Sequence, residues 1–291
     1  FSAWKEEFIM EKSIKRYMPI FALPTFFAFI LGFIVPFIMG IWLSFCKFTT
    51  VTDAKFVGFS NYIEALKDTA FRHSFWYTVL FAIASLLIIN IIAFALAMAL
   101  TKEMHGTNVF RTVFFMPNLI GGIVLGYIWQ LIFNGVLSRY GTALALNEWY
   151  GFWGLIILVS WQQIGYMMII YIAGLQSIPG DIIEAAEIDG AAKWDILWKI
   201  RVPMVMSSIT ICVFLTLTNS FKLFDQNLAL TGGDPNHATE MLALNIYQTF
   251  YARAGMQWKG YGQAKAVIFC ALVIIISLVQ LKATRSKEVQ Q

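Results

Sequence analysis

Apolar residues in this chain gather into long runs separated by shorter polar stretches. A helix needs ~20 apolar residues to cross the ~30 Å hydrocarbon core, because lipid offers no partners for open backbone groups. Six stretches meet that requirement, at Met18–Phe45, Phe75–Leu100, Val113–Phe133, Phe152–Ala173, Met204–Phe224 and Gln263–Leu281. The pattern therefore predicts an all-α integral membrane protein with six transmembrane helices. The fifth run is the weakest, broken by Thr210, Thr216, Thr218, Asn219 and Ser220. Such residues are better tolerated facing a bundle interior or a cavity than facing lipid. Pro24, Pro36, Pro117, Gly32, Gly40, Gly121, Gly122 and Gly126 punctuate the first and third runs, as in helices that pack closely or bend.

Cations near the span ends set the orientation. Lys5, Lys12, Lys15 and Arg16, then Lys102 and Arg111, then Lys193, Lys199 and Arg201, then Lys282, Arg285 and Lys287 all fall on one side of six crossings. That side is read as cytoplasmic, with both termini on it. Residues 1–17 form a leading segment, 18–281 the six-helix domain and 282–291 a tail. The leader mixes Trp4, Phe8 and Ile9 with Lys and Glu, which suits either a helix lying in the interface or a simple lead-in. The first apolar run is too long for a signal-peptide core and lacks a small-residue cleavage site, so it reads as a retained span.

Composition removes whole classes of function. The chain is 59% hydrophobic and 13% charged, with a mean hydropathy of +0.68, whereas soluble domains carry about 25% charged residues. Scattered cations at span ends do not make a nucleic-acid surface. Cys46, Cys212 and Cys270 lie in or beside apolar runs without metal spacing and read as small buried side chains. His73, His105 and His237 form no metal-binding pair. A phosphate-cradling GxxxxGK[ST] run is lacking, so energy for any pumping must come from a partner.

The most informative stretch is 178–203, between the fourth and fifth spans. It reads as two short helices. Asp181 is placed as N-cap with Glu184 closing a capping box, and Gly190 supplies the left-handed turn that ends the first helix. The second helix carries Trp194 and Trp198, and Pro203 resets the backbone where the chain re-enters the membrane. Ala185 and Ala186 would let another surface come close, with Glu184 and Glu187 beside them. On these features alone, a plain connector resting on the membrane surface is the default reading.

Glu184-Ala185-Ala186, three residues, Gly190, nine residues, Ile200, then Val202-Pro203 resembles the EAA loop of binding-protein-dependent importer permeases, with Val202 where Leu is usual. Trp161, Tyr166-Met167-Met168-Ile169, Thr231-Gly232-Gly233, Leu281–Arg285 and Phe56–Tyr62 extend the likeness toward the carbohydrate branch, near the larger permease of the maltose importer. The large outer insertion and extra leading helices of that permease are missing. The resemblance implies a type I ABC importer permease fold in a bacterial cytoplasmic membrane and a non-catalytic transport subunit. It also implies a coupling loop, docked on the ATPase through Asp181, Glu184, Ala185, Ala186, Gly190 and Pro203. Its partners would be a second permease, two ATPase subunits and an extracytoplasmic sugar-binding protein. This chain would hold no cofactor, ATP and Mg residing on the ATPase.

Carried over by position, the same resemblance places Gln163, Tyr166, Asn219 and Leu223 on the substrate path. The residues themselves add Gln162, because amides bond hydroxyls and rings stack on sugar faces. Interhelical hydrogen bonding explains the same residues equally well at this stage. A self-sufficient secondary transporter or channel would instead call for intramembrane charges or inverted repeats. A membrane enzyme would call for a clustered acid, base or metal. Neither pattern is present, and neither accounts for the loop.

Overall fold

The computed structural model describes residues 17–20, 22–101, 106–252 and 257–285. The predicted leader thus lies outside the described residues except for Tyr17, as do His105 and the end of the tail. The chain divides into two compact units, Phe1–Ala65 with Arg253–Val267 and Leu66–Ala252 with Ile268–Gln291.

In the first unit α1 (Tyr17–Ser44) matches the first predicted span to within a residue at each end. It loosens into a π-turn at Ile30–Ile34, where the Val35 N–H bonds back to the Ile30 carbonyl. Pro36 explains this, since it has no N–H to offer the carbonyl one turn earlier and its ring presses on that turn. Beyond α1 comes a small hairpin that the all-helical expectation lacked: β1 (Cys46–Lys47) pairs antiparallel with β2 (Lys55–Phe56). Asp53 pins its connection by accepting from the Thr49 and Thr50 N–H groups, each at 2.9 Å. The Thr50 and Thr49 backbone bonds hold that carboxyl below the usual carboxylate range. In α2 (Ser60–Lys67) the buried Asn61 amide donates to the Ser44 and Cys46 carbonyls at 2.9 and 3.0 Å, locking α2 to the hairpin. Lys265 is fully buried, with its ammonium 4.6 Å from the centre of the Tyr261 ring.

The second unit is built on α3 (Thr69–Leu100) and α6 (Glu148–Gln176), which pack along each other. Phe81, Ile89, Leu155, Leu158, Met167 and Met168 form the core of this contact. Asp68 caps α3 through the Ala70 N–H, and Asn147 caps α6 through the Trp149 N–H. Against the pair lies α9 (Met206–Phe221), whose polar residues face inward as the fifth run requires. Tyr171 donates to Asn90 at 2.8 Å, Asn90 donates to Thr216 at 3.2 Å, and the Ser85 and Ser220 hydroxyls meet at 2.8 Å. Three helices are thus stitched by side-chain bonds where lipid would satisfy none of them. The far part of α12 (Gln257–Arg285) packs Ile268, Phe269, Val273 and Ile276 on Phe71, Phe221 and Leu242.

Two predicted spans are not straight helices. The third is a pair, Thr107–Leu119 and Gly122–Tyr140, bent by 100°. Its parts are α4 (Thr107–Phe115) running into a tight turn at Met116–Leu119, and α5 (Gly122–Leu137). The fifth begins earlier than predicted, as α8 (Lys193–Met204), and turns by 71° into α9. Four described helices are therefore long and apolar enough to cross a membrane, or six crossings if each bent pair counts as one.

Candidate functional site

The break in the third span opens a cavity of about 320 Å³. The turn at Met116–Leu119 contributes Asn118 to one wall, and the middle of α6 forms the second. The end of α9 and the start of α10 (Asp225–Leu230) complete it. Four of the five predicted path residues line it: Gln162, Gln163, Asn219 and Leu223. Tyr166 does not. One helical turn further along α6, its ring lies 6.4 Å from that of Phe115, on the α4 side. Sequence reasoning missed Asn118, Lys222, Phe224, Asp225 and Gln226, which also line the cavity. The signal for Asn118 is its place between Pro117 and the Gly121-Gly122 pair, a pattern that predicts close packing or a bend without marking a cavity.

Each amide has a reason to be here. Ending a helix inside a membrane frees carbonyls that need donors. Gln162 supplies one, donating to the Ile120 carbonyl at 3.1 Å, and accepts in turn from the Gln226 amide at 2.7 Å. Gln163 is 7% exposed, and its side-chain oxygen has no hydrogen-bond partner. A buried, unpaired acceptor on a cavity wall costs stability unless something else fills the role. Close approach of α4 to this part of α6 depends on Gly165, because a Cβ there would overlap the Phe114 carbonyl oxygen. On the outer flank, buried Asn227 donates to the Thr239 carbonyl at 2.8 Å and accepts from the Met241 N–H at 3.0 Å, fixing the loop that follows α10.

The cavity can therefore recognise hydroxyls. Asn118, Gln162, Gln163, Asn219 and Gln226 offer both donors and acceptors, Phe224 offers a ring, and Lys222 and Asp225 add one charge of each sign. Among the described residues no group of three or more His, Cys, Asp or Glu side chains could hold a metal.

The predicted loop is an exposed helical pair. α7 (Gly180–Ile188) begins at Pro179, not at Asp181. Asp181 sits inside the first turn and makes no capping bond, since the fixed φ of Pro179 already sets the entry and the Pro179 carbonyl takes the Ile182 N–H. Its charge still suits a helix start. At the other end Gly190 has φ +80°, the Gly190 N–H bonds the Glu187 carbonyl, and the Ala191 N–H bonds the Ala186 carbonyl. This double closure needs a residue free to enter the left-handed region. α8 winds as a π-helix over Ile196–Arg201. Pro203 lies within α8, and the break falls two residues later, at Val205. Asp181, Glu184, Ala185 and Gly190 are exposed and Ala186 half-buried. Ile188 is 86% exposed and Trp194 70% exposed, a large apolar investment for a surface loop.

With this geometry in hand, comparison with known proteins is informative. Residues 91–285 match the family described as "Binding-protein-dependent transport system inner membrane component". The "Probable starch degradation products transport system permease protein AmyD" of Thermoanaerobacterium thermosulfurigenes is 42% identical over 93% of this chain and 94% of its own length. The "Multiple sugar-binding transport system permease protein MsmF" of Streptococcus mutans is 32% identical over 88% of this chain and 91% of its own. A chain in the crystal structure of a bacterial alginate ABC transporter, in complex with an alginate pentasaccharide-bound periplasmic protein, superposes with a TM-score of 0.78. It covers 94% of this chain and 96% of its own at 20% identity, and so shows the shared fold. The family match spans two-thirds of the chain, and the two relatives are matched over more than nine-tenths of their own lengths. This multi-pass membrane protein belongs to the family of binding-protein-dependent transport system inner membrane components.

Proposed function

We propose that this chain is the permease subunit of an ATP-driven carbohydrate importer and forms half of its translocation path. The observation that carries the reading is the amide-lined cavity at the broken third span, whose lining includes Gln163 with its buried, unpaired side-chain oxygen. A neutral, polyhydroxylated ligand has the complementary chemistry, offering hydroxyls that donate and accept in turn. The starch-product and multiple-sugar permeases among its relatives support the substrate class.

In this reading each bent pair counts as one crossing, giving six, with both termini cytoplasmic in a bacterial cytoplasmic membrane. The six-helix domain covers residues 18–281. The loop 178–203 docks on an ATPase subunit, with Glu184 and the sharply ended helix at Gly190 as its grip and Asp181, Ala185 and Ala186 beside them. Pro203 lies in the helix that transmits the movement. This chain does no chemistry of its own, and ATP with Mg is handled by two ATPase copies. A second permease closes the cavity, and an extracytoplasmic sugar-binding protein loads it.

Gentle solubilisation of the tagged chain from its host, followed by identification of co-purifying proteins, tests the assembly. Recovery of a P-loop ATPase, a second permease and a solute-binding protein supports it, and the binding protein then reveals the ligand by screening. Recovery of the chain alone in several mild detergents overturns it in favour of a transporter that works by itself. Glu184→Lys should leave the folded chain intact while releasing the ATPase; unchanged association would remove the loop from the interface.

A further inference from the structure

A second cavity, about 480 Å³, lies between the last turn of α3 and the loop helices α7 and α8. Its chemistry is divided. Met98, Trp194 and Leu197 give it apolar walls, while Lys193 and Arg201 bring two cations and Glu187 one acid. The guanidinium of Arg201 is half-buried and has five N–H groups to place. Among the described residues its one hydrogen bond goes to the Met98 thioether at 3.6 Å, a weak acceptor. Neither Arg201 nor Lys193 makes an ion pair among the described residues, although Lys199 nearby is paired with Asp195 at 2.6 Å. A half-buried guanidinium whose hydrogen bond among the described residues is to a thioether keeps most of its N–H groups available for an anionic ligand.

The position indicates which anion. Met98 and Ala99 close a helix long and apolar enough to span the bilayer, so this cavity sits at headgroup depth. Along one face of α3, Leu87, Ile91, Ala95 and Ala99 recur every fourth residue, and all are exposed. That inclined ridge leads to the cavity, since Ala99 is part of its lining, and its two alanines leave a shallow track. A cationic cup at headgroup depth, opening onto an apolar track, matches an amphiphile with an anionic head and a hydrocarbon tail. The exposed indole of Trp194 at the mouth suits the interfacial level.

We propose that this cavity binds an acidic phospholipid, its phosphodiester on Arg201 and Lys193 and an acyl chain along Leu87, Ile91 and Ala95. Glu187 disfavours the ligand slightly but leaves the site net cationic. The lipid would fill the space between span and loop on the loop's membrane side, leaving Glu184 and Ile188 free. The inference needs only that α3 crosses the bilayer, and it stands apart from the sugar reading.

The test is native mass spectrometry of the assembled importer released from nanodiscs containing phosphatidylglycerol, phosphatidylethanolamine and phosphatidylcholine in equal amounts. Wild type should retain phosphatidylglycerol several-fold over the other two. Each near-surface cation removed should lower that retention about fivefold, so Arg201→Gln and Lys193→Gln together lower it about 25-fold. Glu187→Gln, on an exposed helix, should raise it and provides a check if the double variant folds poorly. Equal retention of the three lipids, preference for phosphatidylethanolamine, or phosphatidylglycerol retention unchanged in a folded double variant would each overturn the proposal. Lipid retained only after the ATPase is stripped away would also overturn it, by assigning the cations to a protein carboxylate. Co-recovery of the ATPase is read in the same spectra, so failure of the assembly is distinguishable from failure of the lipid site.

Discussion

α1 and α6 are nearly equal in length and both pass as membrane spans, yet they live in different surroundings. Of the most apolar window of α6, 67% is buried within the protein, against 6% in α1, although α6 is the less apolar of the two. In water the most hydrophobic segment would go inside. In a bilayer the ordering reverses, because lipid accepts apolar side chains as readily as the protein does and only the protein can satisfy polar ones. The amides, glycines and Tyr171 that dilute the hydropathy of α6 are the reason it occupies the interior. Phe26, Phe29, Phe33 and Phe37 of α1 are exposed and need no partner but lipid.

Substitutions can break this contrast. The largest effect is expected at Gly165→Leu, where a side chain must displace the Phe114 backbone. The fold should lose about 3 kcal/mol or more, read as loss of folded protein by fluorescence-detected size exclusion. Survival of that variant with an unshifted melting temperature would mean that α4 does not pack on α6 as described. Next comes Gln163→Leu, which removes an unpaired buried acceptor. Uptake of sugar should fall about tenfold, ~1.4 kcal/mol of lost recognition, while thermal stability stays level or rises. A drop in stability with uptake intact would make Gln163 a structural residue. Asn90→Leu cuts the link between Tyr171 and Thr216 and should cost about 1 kcal/mol in a chemical denaturation series. The smallest effect belongs to Gly32→Leu in α1, where a side chain would meet nothing within 4 Å. A change beyond about 0.5 kcal/mol there would show that α1 is covered by protein rather than lipid.

Much of the fold is legible from residue order. Hydropathy places the straight helices because the bilayer sets their length, and it errs at their ends. α3 begins at Thr69 rather than Phe75 because Arg72 and His73 extend the helix beyond the hydrocarbon, where polarity costs nothing. The two bends are harder to read. Pro117 and Gly121 signal a break, but nothing local says that a helix turns through 100° rather than kinks, since the angle is set by what α5 meets next: Gln162, Gln226 and α10. At the site, the adjacent amides of α6 mark Gln162 and Gln163, and inward-facing polarity in α9 picks out Asn219. Lys222, Asp225 and Gln226 escape because they lie past the end of α9, where charged residues look like ordinary loop. Tyr166 fails for the opposite reason: its spacing is right, but α4 occupies the space its ring would need. In the loop, Gly190 is legible because left-handed backbone nearly demands glycine, whereas Asp181 misleads because the neighbouring Pro179 already starts the helix.

The stitched contact among α3, α6 and α9 also bears on how the chain is made. Its partners leave the ribosome in the order Ser85 and Asn90, then Tyr171, then Thr216 and Ser220. α3 and α6 enter the membrane able to bond each other through Asn90 and Tyr171, with Ser85 provisionally satisfied by the Phe81 carbonyl of its own helix. Only arrival of α9 completes the set. A chain truncated or stalled before residue 216 would leave polar side chains of α3 facing lipid, a persistent blemish that membrane proteases and insertion factors are equipped to sense. The same bonds that rigidify the finished transporter thus register during synthesis whether α9 has joined α3 and α6.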